Sequence, residues 1–103
     1  MAQLVVSDQA ALDATAIVAM LNDTAGADVA ARYRRAIEVL FERLATFPRS
    51  GMRRPALGRL ARIGVVAPYV VIYDYRPDNV TILRILDGVG TSLEDWYAND
   101  RVA

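Results

Sequence analysis

Cysteine, histidine and lysine are all missing from this 103-residue chain. Without cysteine there is no disulfide framework, no thiolate nucleophile and no cysteine metal site. Without histidine the usual general base and the commonest metal ligand are gone. Carboxylates are not grouped at the spacing of a calcium loop, so no cofactor or metal is implied. The longest apolar run, Val65 to Tyr73, is interrupted by Pro68 and falls well short of the ~20 residues that span a bilayer. No basic start followed by an apolar stretch and a small-residue cleavage site opens the chain, so a cytoplasmic protein without membrane contact is expected.

All twelve basic residues are arginines, and twelve acids cancel them. The arginine bias has two readings: a GC-rich coding sequence, or selection for two-pronged contacts to carboxylate or phosphate. Zero net charge provides no bulk field to attract a polyanion, so direct nucleic-acid binding is not favoured. The length suits one domain over 1–103, and a hydrophobic fraction of 54% argues against disorder.

Gln3 to Val6 reads as a short strand, with Ser7 as N-cap and Asp8 as first-turn acid of a helix whose apolar face is Ala14, Ile17, Val18 and Leu21. Asn22, Asp23, Thr24 and Gly26 are expected to break it. A longer helix starts near Asp28. Its stripe is Tyr33, Ala36, Ile37, Leu40, Leu44 and Phe47, and its opposite face carries Arg34, Arg35, Glu38, Glu42 and Arg43. Residues 48–58 read as a surface loop rich in proline and glycine. Three strands follow, at Leu60 to Val66, Tyr69 to Tyr75 and Val80 to Leu86, joined by compact turns at Ala67-Pro68 and at residues 76–79 into an antiparallel meander. In the last of them strict alternation puts Val80, Ile82 and Leu86 on one side and Leu83 and Ile85 on the other. Both faces are therefore apolar and both need cover, from curvature and local loops or from a partner docked on the face or along an edge.

This order, strand–helix–helix–strand–strand–strand, together with Leu44, Phe47, Pro48 and Gly51 in an "L..FP..G" pattern and the hairpin PYVVIYDYRPDNVTILRILDG from Pro68 to Gly88, resembles the ParE branch of the ParE/RelE toxin superfamily, the plasmid stabilisation proteins of type II toxin–antitoxin systems. The resemblance implies an α+β fold, a mainly antiparallel sheet packed by a helical hairpin. It also implies a cognate antitoxin as partner and inhibition of DNA gyrase by binding, without catalytic residues. The alternatives within the superfamily are a RelE-like ribosome-dependent mRNA endoribonuclease, or an attenuated toxin that retains only antitoxin binding. Where relatives carry a histidine and then a basic pair, this chain has Asp87, Val89 and Gly90, which weakens the ribonuclease alternative.

Five residues are candidates for contact with target or antitoxin. Arg84 matches the arginine of the family hairpin, and is otherwise an edge side chain whose stem covers apolar surface. Arg59 and Arg62 flank the first meander strand, where ordinary surface charge is the competing role. Trp96 and Tyr97 follow a Thr91-x-x-Glu94 capping box and are either interface anchors or aromatics packed on the sheet.

Overall fold

The computed structural model describes residues 2–88. Trp96, Tyr97, the capping box that precedes them, Val89 and Gly90 lie outside the described residues. In chain order the elements are β1 (Gln3–Val6), α1 (Asp8–Ala25), α2 (Ala27–Thr46), β2 (Met52–Arg53), one 3-10 turn (Pro55–Leu57), β3 (Ala61–Val66), β4 (Tyr69–Arg76) and β5 (Asn79–Asp87). The strands form a single sheet in the order β1-β5-β4-β3-β2, in which β1 runs parallel to β5 and every other pair is antiparallel. The expected α+β architecture is observed. No helix among the described residues is long and apolar enough to cross a membrane.

Ser7 caps α1, its hydroxyl oxygen accepting from the Ala10 amide at 3.0 Å. Of the four residues expected to break the helix, Asn22, Asp23 and Thr24 stay within it, and it continues through Ala25 to Gly26. Thr24 satisfies its hydroxyl on the Met20 carbonyl, one turn back, so a polar side chain here is compatible with helix. The stop is Gly26, whose φ of 98° is reserved in practice for glycine; it ends α1 and lets α2 begin at the next residue. The α2 stripe holds for Ile37, Leu40 and Leu44, which are buried, whereas Phe47 lies just past the helix and is 64% exposed. The expected ion pairs of the outer face reduce to Arg35–Glu38 at 3.9 Å between exposed side chains, which adds little to stability.

The two helices cover one face of the sheet. Ala10, Ile37, Leu40 and Leu44 pack there on Tyr69, Val71, Tyr73, Val80, Ile82 and Ile85. Tyr33 of α2 meets Tyr69 edge-on, with ring centroids 5.7 Å apart. A smaller cluster of Leu57, Ala61, Ile63, Ile72 and Leu86 forms on the opposite face, with Leu57 contributed by the 3-10 turn.

Two strand expectations are corrected. The segment read as loop contains β2, whose two residues pair with Ile63 and Arg62; so short a strand carries no alternation for a sequence pattern to reveal. In β5 the assumed alternation is wrong. Tyr73 faces Ile82 but the next residue back, Ile72, faces Arg84, so β5 holds one extra residue, Leu83. This β-bulge transfers Ile85 to the helix side beside Val80 and Ile82 and sends Leu86 to the other face. The strand looks apolar on both sides because its sides exchange midway.

Candidate functional site

Arg84 owes its position to the bulge. Strand β1 pairs with β5 only as far as Ile82, and beyond that point α1 takes over the edge. The Ser7 amide donates to the Ile82 carbonyl at 3.0 Å, and the Ser7 hydroxyl donates to the Leu83 carbonyl at 2.9 Å. Asp13, one and a half turns further along α1, accepts from the Ile85 amide at 2.9 Å. The same carboxylate holds the Arg84 guanidinium, from Nε at 2.8 Å and Nη2 at 3.3 Å. Side-chain exposures of 22% for Arg84 and 12% for Asp13 make this a mostly buried, two-pronged pair. The backbone groups of the β5 edge beyond its last β1 pair are thus satisfied by the side chains of the N-cap Ser7 and of Asp13 in α1. Arg84, at 22% exposure, is paired with Asp13 and fastens helix to strand.

Arg62 is engaged as well. Its Nη1 donates to the carbonyls of Arg49 at 3.1 Å and Gly51 at 2.8 Å, and its guanidinium lies 5.4 Å from the centre of the Tyr75 ring. The loop it grips is the "FP..G" segment. Tyr73, fully buried, reaches the same loop from below: its hydroxyl donates to the Pro48 carbonyl at 2.8 Å and accepts from the Gly51 amide at 2.9 Å. Gly51 is where the chain passes closest, since a Cβ there would overlap the Tyr73 hydroxyl and approach Tyr73 Cε1 at 2.7 Å. The sequence reading missed the role of Tyr73, which the spacing of apolar residues in β4 marks only as core. The family motif is therefore a clip between loop and sheet.

Burial raises the Tyr73 phenol above its ordinary 10.0, opposed by the bond from Gly51 and by nearby Arg62. Burial also raises Tyr69, with Asp87 and Tyr33 adding to the effect. A phenol whose pKa is higher folded than unfolded contributes stability that is complete below the unfolded value and lost as pH rises through the folded one. Lysine and cysteine are absent, so no ammonium or thiol side chain overlays the titration of Tyr69 and Tyr73. Stability is expected to stay level to about pH 10 and then fall, a decline that urea unfolding at stepped pH measures and that Tyr73→Phe makes shallower.

Arg59 is exposed, at the rim of a cleft of about 200 Å³ lined by Arg53, Arg59, Leu60, Ala61, Arg62 and Tyr75. The structure thus brings Arg59 and Arg62 together and leaves Arg84 elsewhere, tied to α1. A second groove of about 790 Å³ runs between the helices, lined on α1 by Ala14, Val18 and Asn22 and on α2 by Ala27, Ala31 and Arg34. Exposed apolar side chains at the β2–β3 margin are Met52 at 62% and Val65 at 59%. Among the described residues these are surfaces open to a partner, as are the exposed Leu12 and Phe47.

Comparison with known proteins bears on what that partner is. The sequence profile described as "ParE toxin of type II toxin-antitoxin system, parDE" matches residues 4–89. Toxin ParE3 of Caulobacter vibrioides is 43% identical over 63 residues, which make up 61% of this chain and 63% of that protein, so the alignment spans less than two thirds of the relative. Among solved structures, one titled "Chromosomal ParDE TA system from P. aeruginosa" superimposes with a TM-score of 0.70 at 23% identity, covering 82% of this chain and 94% of that one, a likeness of fold. With the profile running from β1 to the end of β5, the chain belongs to the ParE toxin family of type II toxin–antitoxin systems.

Proposed function

We propose that this ParE-family toxin is neutralised by a cognate antitoxin in the bacterial cytoplasm and acts by binding and inhibiting DNA gyrase, not by cutting RNA. Family membership supports the antitoxin partnership. The observation that favours binding over cleavage is the employment of the two strand arginines. A phosphate-cleaving site needs cations aimed at the position where charge develops in the transition state. Arg84 is instead neutralised by Asp13, and Arg62 spends Nη1 on two backbone carbonyls of its own chain. Redirecting either one toward RNA would strip a carboxylate or a loop of its partner.

The antitoxin half of the proposal is tested by inducible expression in a bacterial host, with and without the reading frame adjacent to the gene. Growth arrest by the chain alone, relief on co-expression and co-purification of the two proteins are the expected results. Failure of the neighbouring product to co-purify overturns the partnership. Co-purification without any growth arrest from the chain alone overturns the toxic activity and favours the attenuated alternative, in which only antitoxin binding is retained.

A further inference from the structure

Although the chain is neutral overall, its charges are sorted along the sequence. Residues 8–28 carry Asp8, Asp13, Asp23 and Asp28 with no arginine, whereas residues 49–76 carry six arginines against the single acid Asp74. The fold gathers three of the six, Arg53, Arg59 and Arg62, around the Tyr75 ring in the 200 Å³ cleft beside β2 and β3, and among the described residues no acid lines it. Pairing explains how. Arg53 lies opposite Arg62 across the β2–β3 ladder, and Arg62 opposite Tyr73, so these side chains share the face to which Tyr75 also belongs. Asp74, between the two tyrosines, belongs to the opposite face by the same alternation. Backbone bonds hold the 54–60 segment, which borders the cleft, against β3 and β4: Arg54 N–H to the Ala61 carbonyl, Ala61 N–H to the Gly58 carbonyl, and Tyr75 N–H to the Leu60 carbonyl, each 3.0 to 3.1 Å.

Among the described residues, Arg53 and Arg59 have neither an ion pair nor a side-chain hydrogen bond. We propose that this cleft binds the carboxylates of an acidic peptide segment in a protein partner, with Arg53 and Arg59 as the gripping cations and the Arg62–Tyr75 stack as the floor. Two observations favour a peptide over a nucleic acid. Tyr75 already carries the Arg62 guanidinium against its ring, and that face is closed to a stacking base. The positive charge is compact and offset by acids elsewhere on the same small domain, which suits short-range capture of one or two carboxylates better than tracking a long phosphate backbone. Arginine is also the side chain whose planar fork matches a carboxylate with two parallel bonds. The inference does not depend on gyrase being the target, since the carboxylates are recognised whichever protein supplies them.

Fluorescence polarisation of the full chain with a labelled oligoglutamate peptide tests this, with an oligothymidylate of equal length as the second probe. Binding of the peptide in preference to the oligonucleotide is expected. Replacing both free cations, as R53A/R59A, is expected to weaken it by about tenfold or more, while thermal unfolding stays within a few degrees of the parent because neither side chain supports the fold. Tighter binding of the oligonucleotide, with the same variant weakening that instead, overturns the peptide assignment in favour of nucleic acid. Absence of peptide binding, or peptide binding that survives R53A/R59A, overturns the site itself. None of these outcomes alters the growth and co-purification results that bear on toxicity.

Discussion

Replacing Asp13 with alanine is expected to lower the unfolding free energy by about 3 kcal/mol, because it leaves a mostly buried guanidinium without its counter-charge. One carboxylate serves three donors: Arg84 Nε, Arg84 Nη2 and the Ile85 amide. Only the first two belong to the ion pair; the third is a backbone amide on the β5 edge beyond the last β1 pair, where Asp13 is its acceptor. Truncation therefore removes charge compensation and orphans an amide in the same step. The guanidinium is 22% exposed, so water recovers part of the loss and the expected figure sits at the low end of the about 3–5 kcal/mol range for breaking buried pairs. Against a total stability of about 5–15 kcal/mol this is a severe lesion, and it should lower Tm by more than about 10 °C. Asp13→Asn keeps one accepting oxygen and should cost about half as much. Combining Asp13→Ala with Arg84→Met, which removes the stranded charge, should destabilise by clearly less than the sum of the single changes. A loss below about 1 kcal/mol for Asp13→Ala in urea unfolding would show that α1 is not fastened to β5 through this carboxylate.

The second large effect is expected at Gly51. Alanine there places a methyl group against the Tyr73 hydroxyl and ring and the Ile63 carbonyl. The ring has no room to retreat: Tyr73 is fully buried, and withdrawing its hydroxyl breaks the bonds to both Pro48 and Gly51. Overpacking and broken hydrogen bonds together are expected to cost about 3 kcal/mol. Tyr73→Phe alone should cost about 1–2 kcal/mol, by leaving the Gly51 amide and the Pro48 carbonyl without the hydroxyl. In that background Gly51→Ala should be milder than in the parent, since one of the colliding atoms is gone. Equal penalties in the two backgrounds would mean that the tyrosine hydroxyl does not set the fit of the loop. Both variants are read by chemical denaturation, with circular dichroism confirming that the remaining fold is intact.

Much of the architecture was legible because local signals agreed with one another. Ser7 before an amphipathic run, the apolar spacing from Ile37 to Leu44, and the compact turns around Pro68 and Pro77 each have one structural solution. The failures share a cause as well. Asn22, Asp23 and Thr24 look like a stop, yet helix continues wherever a threonine can bond one turn back, and only Gly26 had the conformation to end it. The β5 bulge left no trace, because a strand that is apolar at both parities looks the same with or without an extra residue. The partner of Arg84 lies 71 positions away on another element, a separation at which a sequence offers no local cue. For the same reason Arg62 looked like a surface charge until Arg49 and Gly51 were brought beneath it. Of the site residues, the sequence singled out Arg59 and Arg62, which do share a cleft, but it passed over Arg53 and Tyr75, which complete that cleft.

Arg84 and Arg62 are employed in holding α1 and the 48–51 loop to the sheet, while Arg53 and Arg59 line the cleft for which capture of a carboxylate is proposed. This arrangement supports the proposal that the protein works by occupying a partner. Its most direct test is a supercoiling assay with purified DNA gyrase. The chain is expected to inhibit supercoiling in a dose-dependent way, with inhibition relieved by the co-purifying antitoxin and with no cleavage of ribosome-bound mRNA at the same concentrations. Undiminished supercoiling at high micromolar protein, or mRNA cleavage that disappears with Arg84→Ala, would contradict it.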